Sequence, residues 1–273
     1  MNVSTHVEDR GLVESPRWHE GKLWFADWMA GEILTLGSQG DTHVMARAKA
    51  PPLSFDFSVD GRMLIVASGE QWLLRREKSG EVKPFADLGG TEWNEIVVDG
   101  RGNAYVNGAE LVLVTPDGKV QAQAEGFAFP NGMAVTPDNS VLIVAESHGR
   151  CLTAFDIAAD GSLSRRRVWA NLGTGTPDGI CMDESGAVWY ADVPNQRCVR
   201  VREGGAVLDE VILDRGAFAC MLGGPTRQTL YITAANWFGM ARMGEMQGSG
   251  QVLSVPVPVP GAGWPLAATS VVS

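Results

Sequence analysis

The stretch Pro130-Asn131-Gly132-Met133-Ala134-Val135-Thr136-Pro137-Asp138 returns, altered, as Pro177-Asp178-Gly179-Ile180-Cys181-Met182-Asp183. Each copy reads as a polar residue at the mouth of a short apolar strand that ends in an acidic turn. The polar residue is an amide in one copy and a carboxylate in the other. Working outward, the same sentence recurs from Glu14-Ser15-Pro16-Arg17-Trp18, from Phe55-Asp56-Phe57-Ser58-Val59-Asp60-Gly61 and from Asn94-Glu95-Ile96-Val97-Val98-Asp99-Gly100, and in weaker form from Cys220-Met221-Leu222-Gly223-Gly224. A second apolar strand follows each time, as in Leu23-Trp24-Phe25-Ala26-Asp27 or Ala187-Val188-Trp189-Tyr190-Ala191-Asp192.

The lead residues Glu14, Phe55, Asn94, Asn131, Asp178 and Cys220 are spaced 41, 39, 37, 47 and 42 residues apart. A period of about 40 residues with several strands per unit predicts a β-propeller, whose blades are four-stranded sheets around a channel. The expected fold is therefore all-β: six four-stranded antiparallel blades forming a single domain over 1–273. The segment from Thr5 to Val7 is expected to close the ring by pairing with the last blade, since an open edge invites aggregation. The run Val255-Pro256-Val257-Pro258-Val259-Pro260 suits an outer edge strand or a solvated extension. No segment sustains helical periodicity over the ~12 residues an independent helix requires.

Composition narrows the function. The 33 Gly and 14 Pro demand frequent turns, and a formal net charge of -10 argues against a nucleic-acid surface, which needs clustered Lys and Arg. The run Arg165-Arg166-Arg167 reads as a solvated strand end. Cys151, Cys181, Cys198 and Cys220 show no C-x-x-C spacing and are expected to be reduced core residues. The N-terminus has neither a basic nor an apolar leader region, and no apolar run approaches the ~18 residues that span a bilayer. A cytoplasmic protein that contacts no membrane is the expectation.

In a propeller the innermost strand of each blade starts near the axis, so the lead residues form a ring at one channel mouth. Glu14, Asn94, Asn131 and Asp178 then converge as oxygen donors. Two carboxylates brought together repel, and a hard divalent cation relieves this. An all-oxygen set favours Ca2+, Mg2+ or Mn2+ over structural zinc. Asn-Gly and Asp-Gly are also strong hairpin turns. Against that reading, each pair is followed within five to seven residues by another turn, and Glu14 and Asn94 hold the same phase with no glycine after them. Ser15 has no nucleophile elbow around it, His148 reads as a loop residue, and Trp93 as a wall of the pocket.

At these residues the chain resembles the SMP-30/gluconolactonase (regucalcin-like) family of six-bladed propellers, from about Glu14 to the last blade. Glu14-Ser15-Pro16-Arg17-Trp18, Pro130-Asn131-Gly132 and Pro177-Asp178-Gly179 match its signature strands. The resemblance implies one divalent metal on Glu14, Asn131 and Asp178, with Ca2+ favoured and Zn2+, Mg2+ or Mn2+ as alternatives. It also places Asn94 in the substrate pocket and implies hydrolysis of a small-molecule lactone by metal-activated water. Asp178 is the candidate general base. Sugar-lactone members often carry an Arg two residues before the pocket Asn. Here Glu92 and Trp93 stand in that region, which suits a less polar ligand than glucono-1,5-lactone. The rival readings are another reaction on the same site, such as phosphotriester hydrolysis or a lyase step, and a non-catalytic propeller that binds a ligand or protein at its rim.

Overall fold

The computed structural model describes residues 2–38, 40–48, 51–67, 69–90 and 92–263; residues 264–273 of the expected domain lie outside the described residues. The chain begins with β1 (Ser4–Arg10) and then lays down four antiparallel strands per blade. Blade 1 is β2 (Val13–His19), β3 (Lys22–Asp27), β4 (Glu32–Leu36) and β5 (Thr42–Arg47), and blade 2 is β6 (Leu53–Phe57), β7 (Met63–Ala67), β8 (Trp72–Arg76) and β9 (Val82–Asp87). Blade 3 is β10 (Trp93–Val98), β11 (Ala104–Gly108), β12 (Leu111–Val114) and β13 (Val120–Ala124). Blade 4 is β14 (Pro130–Val135), β15 (Val141–Glu146), β16 (Cys151–Ile157) and β17 (Leu163–Asn171), and blade 5 is β18 (Pro177–Met182), β19 (Val188–Asp192), β20 (Arg197–Val201) and β21 (Val207–Ile212). Blade 6 contains β22 (Gly216–Gly223), β23 (Thr229–Ala235) and β24 (Gly250–Pro256), and its fourth strand is β1. Each inner strand packs on the next, from β2 to β6, β10, β14, β18 and β22, and β22 returns to β2. The fold is a six-bladed β-propeller.

The closure by β1 is as expected, with Ser4 opposite Ser254 and Val7 opposite Val252. It leaves the ring fastened by hydrogen bonds between the two ends of the chain, so β24 presents no free edge. The expectation for the proline run is corrected at its start. Val255 and Pro256 pair with Leu230 and Thr229 inside the blade, and Pro256 is tolerated because it lies past the last residue that β1 pairs. The chain then crosses beneath blade 5, where Gly261 bridges Asp183 and the Ala262 amide donates to the Met182 carbonyl.

The inner and second strands are largely apolar because they are covered on both faces by neighbouring blades, with polar residues confined to a few positions, mostly near the strand ends. Val188-Trp189-Tyr190-Ala191 is buried without interruption, and β7 likewise. Outer strands alternate and carry the charge. Arg165, Arg166 and Arg167 are solvated as expected, but they lie within the outer strand β17 and not at its end, and pair with Asp156 and Glu146. Cys181, Cys198 and Cys220 are buried free thiols and Cys151 is half-buried, with the Cys181 and Cys220 sulfurs 3.9 Å apart across blades 5 and 6. A 3-10 helix, Met240–Met246, interrupts the β23 to β24 connection. Among the described residues no helix is long and apolar enough to cross a membrane.

Asn131-Gly132 and Asp178-Gly179 are not turns. Both pairs sit inside inner strands, and their glycines are there for space. A Cβ on Gly132 would meet the Asp178 carbonyl oxygen and the Ile180 nitrogen at 2.6 Å, and one on Gly179 would collide with Ala219. The blades approach backbone to backbone at these points. Gly132→Ala should therefore destabilise the protein by roughly 1–3 kcal/mol through overpacking against immobile backbone, read as a lower urea midpoint at unchanged slope.

Candidate metal centre and substrate cavity

Five of the six inner strands carry a β-bulge at their mouths, between Glu14 and Arg17, Trp93 and Glu95, Pro130 and Met133, Pro177 and Ile180, and Ala217 and Ala219. A bulge re-aims the side chain beside it, and here the side chains turn into the channel. Glu14, Asn94, Asn131 and Asp178, together with Glu92 and Trp93, line one cavity of about 660 Å3, a size suited to a small molecule. All six sequence-predicted site residues are thus brought to one place. Two lead positions need correction. Phe55 is buried opposite Ile65 in the core of blade 2, and the ring position there is filled by Ser54, whose hydroxyl donates to the Asn94 carbonyl at 2.7 Å. Cys220 lies deeper between blades, and the bulge of β22 presents Phe218 to the cavity instead.

Polar groups of adjacent blades lock together around Asn131. Asn94 Nδ2 donates to Asn131 Oδ1 at 3.2 Å, Asn131 Nδ2 donates to Ser147 Oγ at 3.4 Å, and Ser147 Oγ donates to the Pro177 carbonyl at 2.7 Å. Asn107 Nδ2 donates to the Asn131 carbonyl at 2.6 Å while its Oδ1 accepts from the Glu95 amide. Asn107 and Ser147 escaped the sequence reading. Their only signal was a polar residue at the end of a buried second strand.

Three acids hold the segments that lead into the inner strands of blades 1, 4 and 5. Asp27 accepts from the Gly11 amide, Glu146 from Ala128 and Asp192 from Thr176. Each is itself ion-paired, with Arg10, Arg166 and Arg197 respectively. These are the blades that supply Glu14, Asn131 and Asp178.

Glu14 and Asp178 are built differently. Among the described residues, neither has a basic side chain within ion-pair distance. Burial, reinforced by the nearby charge of Glu95, pushes the Glu14 carboxyl up to about 8, and the Ser15 amide that donates to it at 2.8 Å offsets only part of this. Asp178 is raised well above its ordinary value by burial and by the charges of Glu14 and Glu95. Glu95 is a third acid that the sequence reading passed over. It is buried and receives Arg17 Nη2 at 3.1 Å, and Arg17 also faces Asp56 at 3.6 Å. The signal was a charged residue, Arg17, Asp56 or Glu95, set within each of three inner strands, β2, β6 and β10. Arg17 and Asp56 also line a second cavity, of about 610 Å3, at the other end of the channel, and it contains none of the ring residues.

The donor chemistry fits a hard cation. Glu14, which is buried, and Asp178, which is half-buried, carry no ion-pair partner among the described residues, and beside an amide oxygen they form a site whose charge is unbalanced in the protein alone. His148 is an exposed turn residue as expected, and it also lies on the cavity rim, stacked on Phe129 with ring centres 4.6 Å apart. Ser15 is buried, with its hydroxyl 3.5 Å from Glu95 and φ at 48°. It serves the bulge and takes no nucleophile's place, since no histidine contacts it among the described residues.

A six-bladed propeller with an oxygen-donor ring at one mouth defines the class, and comparison with known proteins defines the family. Residues 12–236 match the family described as SMP-30/Gluconolactonase/LRE-like region, and the chain belongs to it. It is 31% identical to a 6-deoxy-6-sulfogluconolactonase of Pseudomonas putida over 93% of this chain and 94% of that protein. A pentonolactonase, XacC, of Haloferax volcanii is 24% identical over 86% and 85%. A solved luciferin-regenerating enzyme superposes with a TM-score of 0.82 at 20% identity, over 95% of this chain and 97% of that one; this last likeness is one of fold.

Folded Glu14 keeps its proton to about pH 8, whereas an ordinary glutamate releases it near 4.5. Between those values the native state binds more protons than the unfolded state, so stability falls as pH rises. In chelator-treated protein the Tm should drop progressively across that window, and Glu14→Gln should flatten the slope. Scanning calorimetry at a series of pH values checks this; parallel slopes for the two proteins would count against the site as described.

Proposed function

We propose that this protein is a metal-dependent lactonase that opens a small lactone ring at the channel mouth. The observation that carries the reading is the pair of carboxylates Glu14, buried, and Asp178, half-buried, which lack an ion-pair partner among the described residues and line one cavity with the Asn131 amide, in a family whose curated relatives include lactonases. Glu14, Asn131 and Asp178 would hold the divalent cation. Their all-oxygen chemistry favours Ca2+, with Mg2+, Mn2+ or Zn2+ as lesser candidates. When bound, such a cation supplies Lewis acidity toward the lactone carbonyl and lowers the pKa of water.

The protein's own groups perform the rest. Glu14 and Asp178 must both be ionised, and the cation's charge offsets the burial that otherwise keeps them protonated. Asp178 accepts a proton from the water that attacks the carbonyl carbon. The ring C–O bond then breaks, the departing oxygen takes up that proton, and a hydroxy acid leaves. Asn94 orients the substrate, and its hydrogen bond to Asn131 Oδ1 keeps the amide oxygen turned toward the ring centre. Glu92 and Trp93 border the substrate. Trp93 is fixed by its indole N–H, which donates to the Gly90 carbonyl at 2.9 Å.

A lactone panel followed by pH-stat, with each cation in turn after chelation, tests the reading. Asp178→Asn should lower kcat by at least about 100-fold, as loss of a general base does, while calorimetry still detects weakened cation binding. Asn131→Ala should raise the cation Kd about tenfold or more with a smaller effect on kcat at saturating metal. Undiminished hydrolysis by chelated Asp178→Asn protein would sink the mechanism.

A further inference from the structure

The cavity is chemically two-sided, and its second side is unused by the chemistry above. We propose that the protein selects a neutral lactone bearing an apolar aryl or alkyl substituent, which lies against a wall formed by Leu12, Trp28, Val193, Phe218, Trp237 and Met243. The inference rests on the lactonase reading and names its substrate class.

Those six residues line the cavity and also belong to one packed apolar cluster that joins blades 5, 6 and 1. The wall is therefore preformed and continuous with the core. Phe218 takes the ring position between Asp178 in blade 5 and Glu14 in blade 1, so hydrocarbon flanks the reacting groups directly. Trp237 meets Phe218 edge to face with centres 5.6 Å apart. The Trp28 indole N–H is consumed by the Leu53 carbonyl at 2.8 Å, so what Trp28 offers a ligand is its apolar face. The wall runs out to the rim, where Phe129 and Met240 are 46% and 61% exposed, a degree of apolar exposure expected of a binding surface.

The polar side is poorly equipped for a polyhydroxylated ligand. Asn94 Nδ2 is committed to Asn131 and the Pro130 carbonyl, and the Ser147 hydroxyl to Pro177. A sugar lactone would press hydroxyls against Phe218 and Trp237, and each hydroxyl stripped of water without a partner weakens binding by about tenfold. An anionic substituent fares no better. Among the described residues no Lys or Arg lines this cavity, whereas Glu14, Glu92 and Asp178 do, and Arg17 is held below by Glu95 and Asp56.

The test measures kcat/KM for a phenyl-substituted δ-valerolactone and for glucono-1,5-lactone, on wild type and Trp237→Ser with saturating Ca2+. Alongside, tryptophan fluorescence and calorimetry report binding of the two corresponding lactams, which resist hydrolysis. The expected result is a preference of at least about tenfold for the phenyl lactone, which collapses in Trp237→Ser because the phenyl lactone loses far more than the sugar lactone does, and the same order for the lactams. Equal or greater kcat/KM for glucono-1,5-lactone overturns the inference and leaves the lactonase reading standing. So does an equal loss for both substrates in Trp237→Ser. If neither lactone is opened but the phenyl lactam binds tenfold tighter than the sugar lactam, the selectivity stands and the lactonase reading falls.

Discussion

Everything at the channel mouth depends on keeping carboxylates close together in a place that water cannot fully reach. The charge of Glu95 raises the cost of ionising both Glu14 and Asp178, and Arg17, ion-paired with Glu95 and Asp56, offsets only a small part of this at Glu14. Such an arrangement would relax by moving apart if its supports were soft. They are not soft. The acids rise from different inner strands, and those strands are pressed together until only glycine fits at positions 132 and 179. Blade contact supplies the force that holds like charges at one point, and β1 prevents the ring from opening to release it.

The second level of support is repeated with the blades. Asp27, Glu146 and Asp192 end the second strands of blades 1, 4 and 5 and tether the backbone that enters each inner strand. Blade 3 uses Asn107 in the comparable position to hold Glu95 and Asn131. Blades 2 and 6 end the same strand in Ala67 and Ala235, and these blades put Ser54 and Phe218 on the ring. A charged tether with its own arginine is thus present in the blades of Glu14, Asn131 and Asp178, the three proposed ligands, and absent from the other three. Orientation is most needed where an unpaired carboxylate must resist turning back to solvent.

This pattern explains which parts of the molecule were legible in the amino-acid sequence. Blade number and strand order showed through because each apolar strand is bounded by Gly or Asp turns at a regular spacing. Glu14, Asn94, Asn131 and Asp178 showed through because each is a polar residue opening an apolar strand. In blade 2 the ring residue is Ser54, which a phase set by the bulkier neighbour Phe55 overlooks. In blade 6 the strand Gly216–Gly223 contains no charged residue at all, so nothing local distinguishes Phe218 from Cys220. Its phase is set by the packing of Ala219 against Gly179, a contact 40 residues away in sequence. Glu95 was passed over for a related reason, since its role is defined by Arg17 from a blade 78 residues earlier.

The same division bears on how far family membership carries. The ring residues sit on inner strands, where a change of backbone position in one blade is transmitted to two neighbours, so the site is bound to the fold. The walls come from elsewhere. Trp237, Met240 and Met243 lie in the connection between β23 and β24, which includes the 3-10 helix and packs on the ring from outside. Glu92 precedes β10, and Gly108-Ala109 forms a tight turn whose Ala109 amide donates to the Glu92 carbonyl. Connections of this kind can change length and composition without disturbing the blades. The proposed chemistry at the carboxylates and the proposed choice of substrate are therefore encoded in largely separate parts of the chain, and apart from Phe218 on β22 the apolar half of this cavity belongs to connections that a shared fold leaves free.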